Sequence, residues 1–355
     1  MANITFKTQY SEFAVALREE TQEYFKSNNI SKTGNWKLYS KTIILFTIAL
    51  TCYGLLIFAG LHWAINLGLC AVLGIDMAAI GFNVMHDGAH GSYSKKQWIN
   101  DAMAYSLNLM GGSSFLWKMK HNVIHHNLTN LEGHDDDIDI RPLLRTNINQ
   151  PKKGIHKYQH YYFIFLYSLT SVWWVYVRDF MKYFSRKIAG QPLKNLTTKE
   201  HVIFWVSKII YFVLFLAVPI YFVGLGPTMV GYFTMLAIQG VILAVVFQLA
   251  HVVEDTTFPM PDAETNKVDN TVIMHQMETT ANFCTKNKFM HWYTGGLNFQ
   301  IEHHLFPKIS HVHYDQLSRI VQDLCTKYNI PYKEYPTFYK AVKSHAMHLK
   351  QVGRA

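Results

Sequence analysis

The sequence predicts an all-α integral membrane protein: two transmembrane helical hairpins, four spans in all, under a helical cap on one side of the bilayer. Three observations predict it. Half of the 355 residues are hydrophobic and only 16% are charged, where soluble proteins average about 25% charged. Four stretches stay apolar over the roughly 20 residues that a helix needs to cross a hydrocarbon core of about 30 Å. The basic residues, finally, avoid the tips of both hairpins.

The four stretches are residues 41–60 (KTIILFTIALTCYGLLIFAG), 64–85 (AINLGLCAVLGIDMAAIGFNVM), 203–224 (IFWVSKIIYFVLFLAVPIYFVG) and 228–250 (TMVGYFTMLAIQGVILAVVFQLA). Only a few residues join the members of each consecutive pair, so they read as hairpins. A fifth stretch, 160–177 (HYYFIFLYSLTSVWWVYV), is shorter and rich in Tyr and Trp, the composition of a segment lying along the membrane interface. Of the 33 Lys and Arg, Lys208 sits inside the third stretch and Lys41 at the edge of the first; the others lie in the N-terminal segment, the 86–202 loop and the C-terminal segment. The positive-inside rule makes their side cytoplasmic. Both termini and a cap formed by 86–202 and 251–355 are therefore expected there, with 1–355 as a single domain.

The first twenty residues lack the apolar core of a cleavable leader. Cys52, Cys70, Cys284 and Cys325 form no Cys-x-x-Cys pair, which argues against a disulfide framework or a zinc knuckle.

The 19 histidines are unevenly placed. In HDGAH, His86 and His90 are four apart and share a helical face. In HNVIHH, His121 and His125 repeat that spacing, while His126 is rotated by about 100° toward a neighbouring site. In FQIEHHLFP, Gln300, His303 and His304 stand at i, i+3 and i+4. His251 lies where the fourth stretch leaves the bilayer, a costly position for an ionisable group that is neither used nor paired. These groups meet in one site only if an even number of crossings separates them, which is the argument for laying 160–177 along the interface. His62 belongs to a hairpin tip on the other side. His156, His160, His201, His313, His345 and His348 read as surface or interfacial residues. His134, His275 and His291 sit near the clusters without a ligand spacing.

Eight imidazoles without a cysteine or a Glu-x-x-His pair point to two metal ions. Imidazole suits iron, zinc and copper alike. A zinc hydrolase uses three protein ligands, and a carboxylate-type di-iron bundle would show paired Glu and Glu-x-x-His; an all-histidine dinuclear iron centre at the membrane surface fits better. A metal transporter or sensor is the non-enzymatic alternative, but it would carry ligands near the midplane of its spans.

HDGAH, HNVIHH and QIEHH, in that order and separated by the hairpins, resemble the three histidine boxes of the integral-membrane fatty acid desaturases. The glutamine that opens the third box resembles the acyl-CoA and acyl-lipid front-end branch, the delta-5/delta-6, linoleoyl-CoA desaturase-like enzymes. NLTNLEGHDDDID, HQMETTANF, WYTGGLNFQIEHHLFP and YNIPY extend the similarity over most of residues 35–335. The resemblance implies a di-iron enzyme that uses O₂ to place a cis double bond in a fatty acyl chain carried by CoA or a lipid. It implies His86, His90, His121, His125, His126, His251, His303 and His304 as ligands. Gln300 is left with three roles: weak ligand, holder of a water, or orienting amide. Asp87, Glu254, Asp255, Asn282 and Glu302 are candidates for fixing imidazole tautomers. An apolar tunnel should select the methylene pair, with Asp76 either at its wall or end, or bonded to a neighbouring helix.

No haem, iron–sulfur or flavin motif stands in the sequence, so electrons are expected from an external ferredoxin or cytochrome b5 and its reductase. The net charge of +9 would attract an acidic donor, or the phosphates of lipid or CoA; no nucleic-acid partner is expected. A fatty acyl or sphingolipid hydroxylase is the alternative enzyme on the same scaffold.

Overall fold

The computed structural model describes residues 4–9, 11–193 and 195–355. Asn35 starts the first long helix, Trp36–Phe58, by accepting a hydrogen bond from the Lys37 amide at 2.9 Å, an N-cap that satisfies a donor the helix cannot. The turn that follows contains Gly60 at φ 58°, and His62 caps the next helix through the Ala64 amide. That helix runs from Trp63 to His90, and the second hairpin is Thr198–Val223 followed by Leu225–His251. Among the described residues, these are the four helices long and apolar enough to cross a membrane. Each is longer than the apolar stretch read from the sequence; the first and third gain a turn at the N-terminus, and the second continues through His86–His90.

The two central helices are half covered by protein, 50% for Trp63–His90 and 44% for Leu225–His251, against 28% and 17% for the outer pair. The outer helices turn Ile43, Ile44, Leu50, Ile209, Ile210 and Val213 outward, a surface that suits hydrocarbon rather than water. Glycine brings the central pair together: a Cβ on Gly74 would stand 2.5 Å from the Met235 carbonyl oxygen, and one on Gly231 would meet Cys70 Sγ at 2.8 Å. Small residues at a crossing let backbones approach, which is how helices gain packing where no hydrophobic force drives them together.

Two lysines interrupt this apolar frame, and both are fully engaged. Lys208 pairs with Asp179 at 3.0 Å and donates to the Val175 carbonyl at 3.2 Å. Lys41 donates to Asn83 Oδ1 at 2.5 Å and the Trp292 carbonyl at 3.1 Å, and its Nζ lies 2.9 Å from His311 Nε2.

The fifth apolar stretch is part of a longer, broken helical segment. It comprises Gln159–Ser168, Thr170–Trp173, a π-helical turn at Trp174–Arg178 and Asp179–Ser185. It packs on the fourth long helix at Gly240, where a Cβ would meet the Tyr167 carbonyl oxygen at 2.8 Å. The cap adds Glu12–Ser27, Tyr314–Lys327 and Phe338–Arg354. Three two-residue ladders complete it: Thr5–Phe6 with Lys267–Val268, Lys187–Ile188 with Gln191–Pro192, and Asn282–Phe283 with Glu334–Tyr335.

Several histidines expected at the surface are in the core instead. His156, His313, His345 and His348 are buried. Each finds a backbone partner: His156 the Pro142 carbonyl at 3.0 Å, His345 that of Val252 at 2.6 Å, and His348 that of Thr146 at 2.7 Å, while His313 lies 3.3 Å from that of Thr33. The amphipathic helix Phe338–Arg354 buries two of them on its inner face, so the histidines serve as polar core residues with their hydrogen bonds made.

Candidate metal centre

Four chain segments deliver the clustered histidines to one place. The helix Trp63–His90 loosens into a π-helical turn at Gly81–Met85, presents His86–His90, and stops at Gly91 in the left-handed conformation (φ 72°). Ser113 caps a short helix, Ser114–Lys118, which continues as a second π-helical turn, Met119–His125. His251 is the last residue of the fourth long helix. His303 and His304 come from Gln300–Leu305.

The π-helical geometry adds to the expected pairing in the second cluster. An i→i+5 hydrogen bond, His126 N–H to the His121 carbonyl at 3.1 Å, stacks these two residues one above the other, and their Nε2 atoms lie 3.2 Å apart. His126 thus joins His121, while His121 and His125 still stack face to face with ring centroids 5.1 Å apart, as their spacing predicts. Donor atoms within 4.8 Å of one another fall into four sets among the described residues: His86, His90, His121 and His303; His125, His251 and His304; His126, His303 and His304; and His121, His125 and Asp137. All eight histidines named from the sequence are present, with ring centroids 4.4 Å apart for His126–His304 and 4.7 Å for His125–His251.

The ring nitrogens divide into an outer and an inner layer. Outward, Nδ1 of His125 meets Asp135 at 3.0 Å, of His251 the Thr279 carbonyl at 3.2 Å, of His303 the Tyr314 hydroxyl at 3.2 Å, and of His304 the Gln276 amide oxygen at 2.8 Å. Inward, the Nε2 atoms of these four and of His86 and His90 are buried without any partner. Leaving a buried polar atom unsatisfied costs about 1–3 kcal/mol, so six such nitrogens aimed into one volume do not describe a finished core. Burial, reinforced by neighbouring imidazoles, holds the pKa of His126, His303 and His304 well below the usual value. These rings are neutral and keep a lone pair for a metal. Burial also lowers that of His125, but the Asp135 carboxylate outweighs it and the net shift is upward, the behaviour of an imidazole whose basicity is raised by an acidic partner. The donor set fits metal ions.

The anchoring groups differ from those expected. Asp135, Asp137, Gln276 and Tyr314 hold the rings, with Asp137 3.6 Å from His121 Nδ1 and 3.7 Å from His125 Nδ1. Gln276 is itself fixed, accepting from Thr129 Oγ1 at 3.1 Å and donating to the His126 carbonyl at 2.8 Å. HDDDID and HQMETTANF carried the signal for two of these sites without saying which residue turns inward. Glu254 and Asp255 instead face the C-terminal segment, accepting from Gln351 and Tyr335. Asp87 bonds Ser310 Oγ at 2.6 Å and lies 3.1 Å from His311 Nδ1; nothing in the spacing of the boxes singled out His311. Asn282 and Glu302 touch no imidazole but fix the backbone that carries two. Asn282 Oδ1 accepts from the Ile301 amide at 2.8 Å, and Glu302 accepts from Asn282 at 2.7 Å and from Tyr332 at 2.9 Å. Gln300 is buried with its Nε2 unpartnered.

Beside the histidines lies a cavity of about 390 Å³ with His86 in its wall. One part is charged, with Lys120, Asp136, Asp137 and Arg178; another is apolar, with Leu107, Met110, Trp174, Leu243 and Phe247. Asp76 does not line it, and neither of its oxygens meets a donor on a neighbouring helix, so both roles expected of it fall away.

Comparison with known proteins agrees with the boxes. Residues 61–336 match the sequence profile of the family described as fatty acid desaturase, a span that holds every clustered histidine. The chain belongs to the fatty acid desaturase family. It is 34% identical to the sn-1 linoleoyl-lipid 6-desaturase of Synechocystis sp., over 98% of this chain and 97% of the relative. It is 36% identical to the acyl-lipid (8-3)-desaturase of Physcomitrium patens, over 96% of this chain and 72% of the relative. It is 33% identical to the sn-1 linoleoyl-lipid 6-desaturase of Arthrospira platensis, over 99% and 96%. The desaturase is thus an oxidoreductase acting on fatty acyl chains.

Proposed function

We propose that this desaturase works on acyl chains esterified in membrane lipids, introducing a front-end cis double bond with O₂ at two iron ions. The observation that carries the reading is the inner layer of six buried, partnerless imidazole nitrogens. His86, His90, His121 and His303 would hold one iron, His125, His251 and His304 the other, with His126 between them. When bound, the iron pair supplies the oxidising power to take hydrogen from two adjacent methylenes. Asp135, Gln276, Tyr314 and the Thr279 carbonyl keep each Nε2 turned inward by occupying Nδ1. The cavity that passes His86 accepts the acyl chain along Leu107, Met110, Leu243 and Phe247 and holds one methylene pair against the histidines, since near-identical neighbours are told apart only by position. The similarity to linoleoyl-lipid and acyl-lipid desaturases supports a lipid carrier.

The distribution of basic residues supports a cytoplasmic cap and cytoplasmic termini, and the exposed Tyr161, Phe165 and Trp173 support an interfacial position for residues 160–177 on that side. A ferredoxin or cytochrome b5 with its reductase supplies electrons. The test is expression in a host that lacks polyunsaturated lipids, followed by mass analysis of its acyl chains. The expected product is two hydrogens lighter than its precursor; a product one oxygen heavier would identify a hydroxylase. His303→Ala should abolish the product while the protein remains in the membrane fraction, and wild-type turnover in that variant would refute the ligand assignment.

A further inference from the structure

We propose that a second pocket, beside Asp87 of the HDGAH turn, is the docking site for an acidic one-electron carrier protein. The proposal rests on the desaturase reading, because that reaction does not balance on its own. Reducing O₂ to two waters takes four electrons and four protons. The two hydrogens lost by the acyl chain provide two of each, so a carrier must bring two further electrons, and water the remaining two protons.

The pocket has a volume of about 840 Å³ and is walled by residues from 24–41, 285–292 and 311–319. Among the described residues, Lys37, Lys41, Lys286, Lys288 and Arg319 line it against one carboxylate, Asp315, which is already paired with Arg319 at 3.3 Å. The charged part of the acyl cavity is different. There Lys120 pairs with Asp137, Arg178 and Lys182 with Asp136, and Arg141 with Asp139, so positive charge is matched by negative.

The arrangement favours a protein over a small anion. Lys41 forms the floor, but its ammonium is already occupied by Asn83, the Trp292 carbonyl and His311, and it offers no free grip for a phosphate. The free charge is at the rim, where Lys37, Lys286 and Lys288 are exposed and come from two separate segments. A ring of exposed cations around a concave centre is what steers and orients an acidic partner.

The floor also leads inward. Lys41 Nζ is 2.9 Å from His311 Nε2, His311 Nδ1 is 3.1 Å from Asp87, and Asp87 is bonded through the backbone to His86. Electronic coupling decays more slowly through covalent and hydrogen bonds than across gaps. A carrier seated here therefore has a contiguous route to a histidine of the metal centre, and the acyl cavity is left free for substrate.

The experiment uses the full-length protein in membranes, with a plant-type [2Fe–2S] ferredoxin and its NADPH reductase as electron source. In the triple variant Lys37→Glu, Lys286→Glu, Lys288→Glu, the KM for ferredoxin should rise about tenfold with kcat within about twofold. Raising the salt should increase the wild-type KM and not that of the variant, and Lys340→Glu, exposed and outside the pocket, should match wild type. Anaerobic reduction with dithionite followed by O₂ should give equal single-turnover product from variant and wild type. An unchanged KM for ferredoxin overturns the proposal, as does a rise in KM for the acyl lipid alone, which would make the pocket a head-group site. If the dithionite-reduced wild type forms no unsaturated product, the desaturase reading itself fails and the docking proposal falls with it.

Discussion

At the scale of single residues, the centre depends on groups that face away from it. Asp135 occupies His125 Nδ1 and also accepts the Asn130 amide at 2.9 Å, so it fixes both the ring and the loop behind it. Asp135→Asn keeps the size but removes the charge that makes His125 a strong donor. Outer partners of this kind are worth about 10–100-fold in metal affinity, and the variant should lose iron to a chelator at correspondingly lower concentration, read as iron per protein after dialysis. Gln300 tests the complementary point. Its buried amide nitrogen has no protein partner, so Gln300→Leu should lower turnover about tenfold while Gln300→His, which restores a nitrogen donor on the same helical face, retains it; equal activity in both would show that no polar atom is needed there. The boxes were legible because i, i+3 and i+4 spacing is visible in a one-dimensional string. Asp135, Gln276, Tyr314 and His311 were not, because their roles come from long-range contacts that no local pattern records.

At the scale of elements, the sequence could place four spans from hydrophobic length alone, but not the local geometry at their ends. The π-helical turns at Gly81–Met85 and Met119–His125 have no compositional mark, and the second brings His126 over His121 while His125 stays stacked beside it. Surface placement of His345 and His348 failed for a related reason. The helix Phe338–Arg354 is amphipathic, but its inner face is partly polar and looks exposed until the backbone acceptors of Val252 and Thr146 are known. The helix Gln300–Leu305 shows how such an element is held. Only six residues long, it is shorter than helices that persist alone, and Asn282 binds both its first turn and Glu302. Asn282→Ala leaves the Ile301 amide and the Glu302 carboxylate short of a partner, at about 1–3 kcal/mol for each group. A lower thermal midpoint in detergent together with loss of iron is expected; loss of iron at an unchanged midpoint would mean that the network is dispensable to the fold.

At the scale of the molecule, the second and fourth long helices form part of the cavity wall and the histidines gather beside it, so on the proposed reading chain selection and chemistry are set by different parts. A tunnel was expected only from the need to select one methylene pair; the cavity lining mixes residues from the second and fourth long helices with Leu107, Met110, Trp174 and others, which come together only after folding. The separation makes chain-length preference adjustable without disturbing the histidines. Met110 lies against Gln239, 3.7 Å from its amide nitrogen to the sulfur, and both face the cavity. Met110→Trp puts an indole into that space and leaves every metal-facing nitrogen in place. Each methylene that the remaining cavity no longer buries loses about 0.8 kcal/mol, roughly a fourfold change in selectivity per carbon. In competition between lipid-linked acyl chains of different length, the variant should therefore shift toward the shorter chain by that factor per excluded methylene, with iron content unchanged. Unaltered chain-length preference would place the acyl tail elsewhere in the molecule.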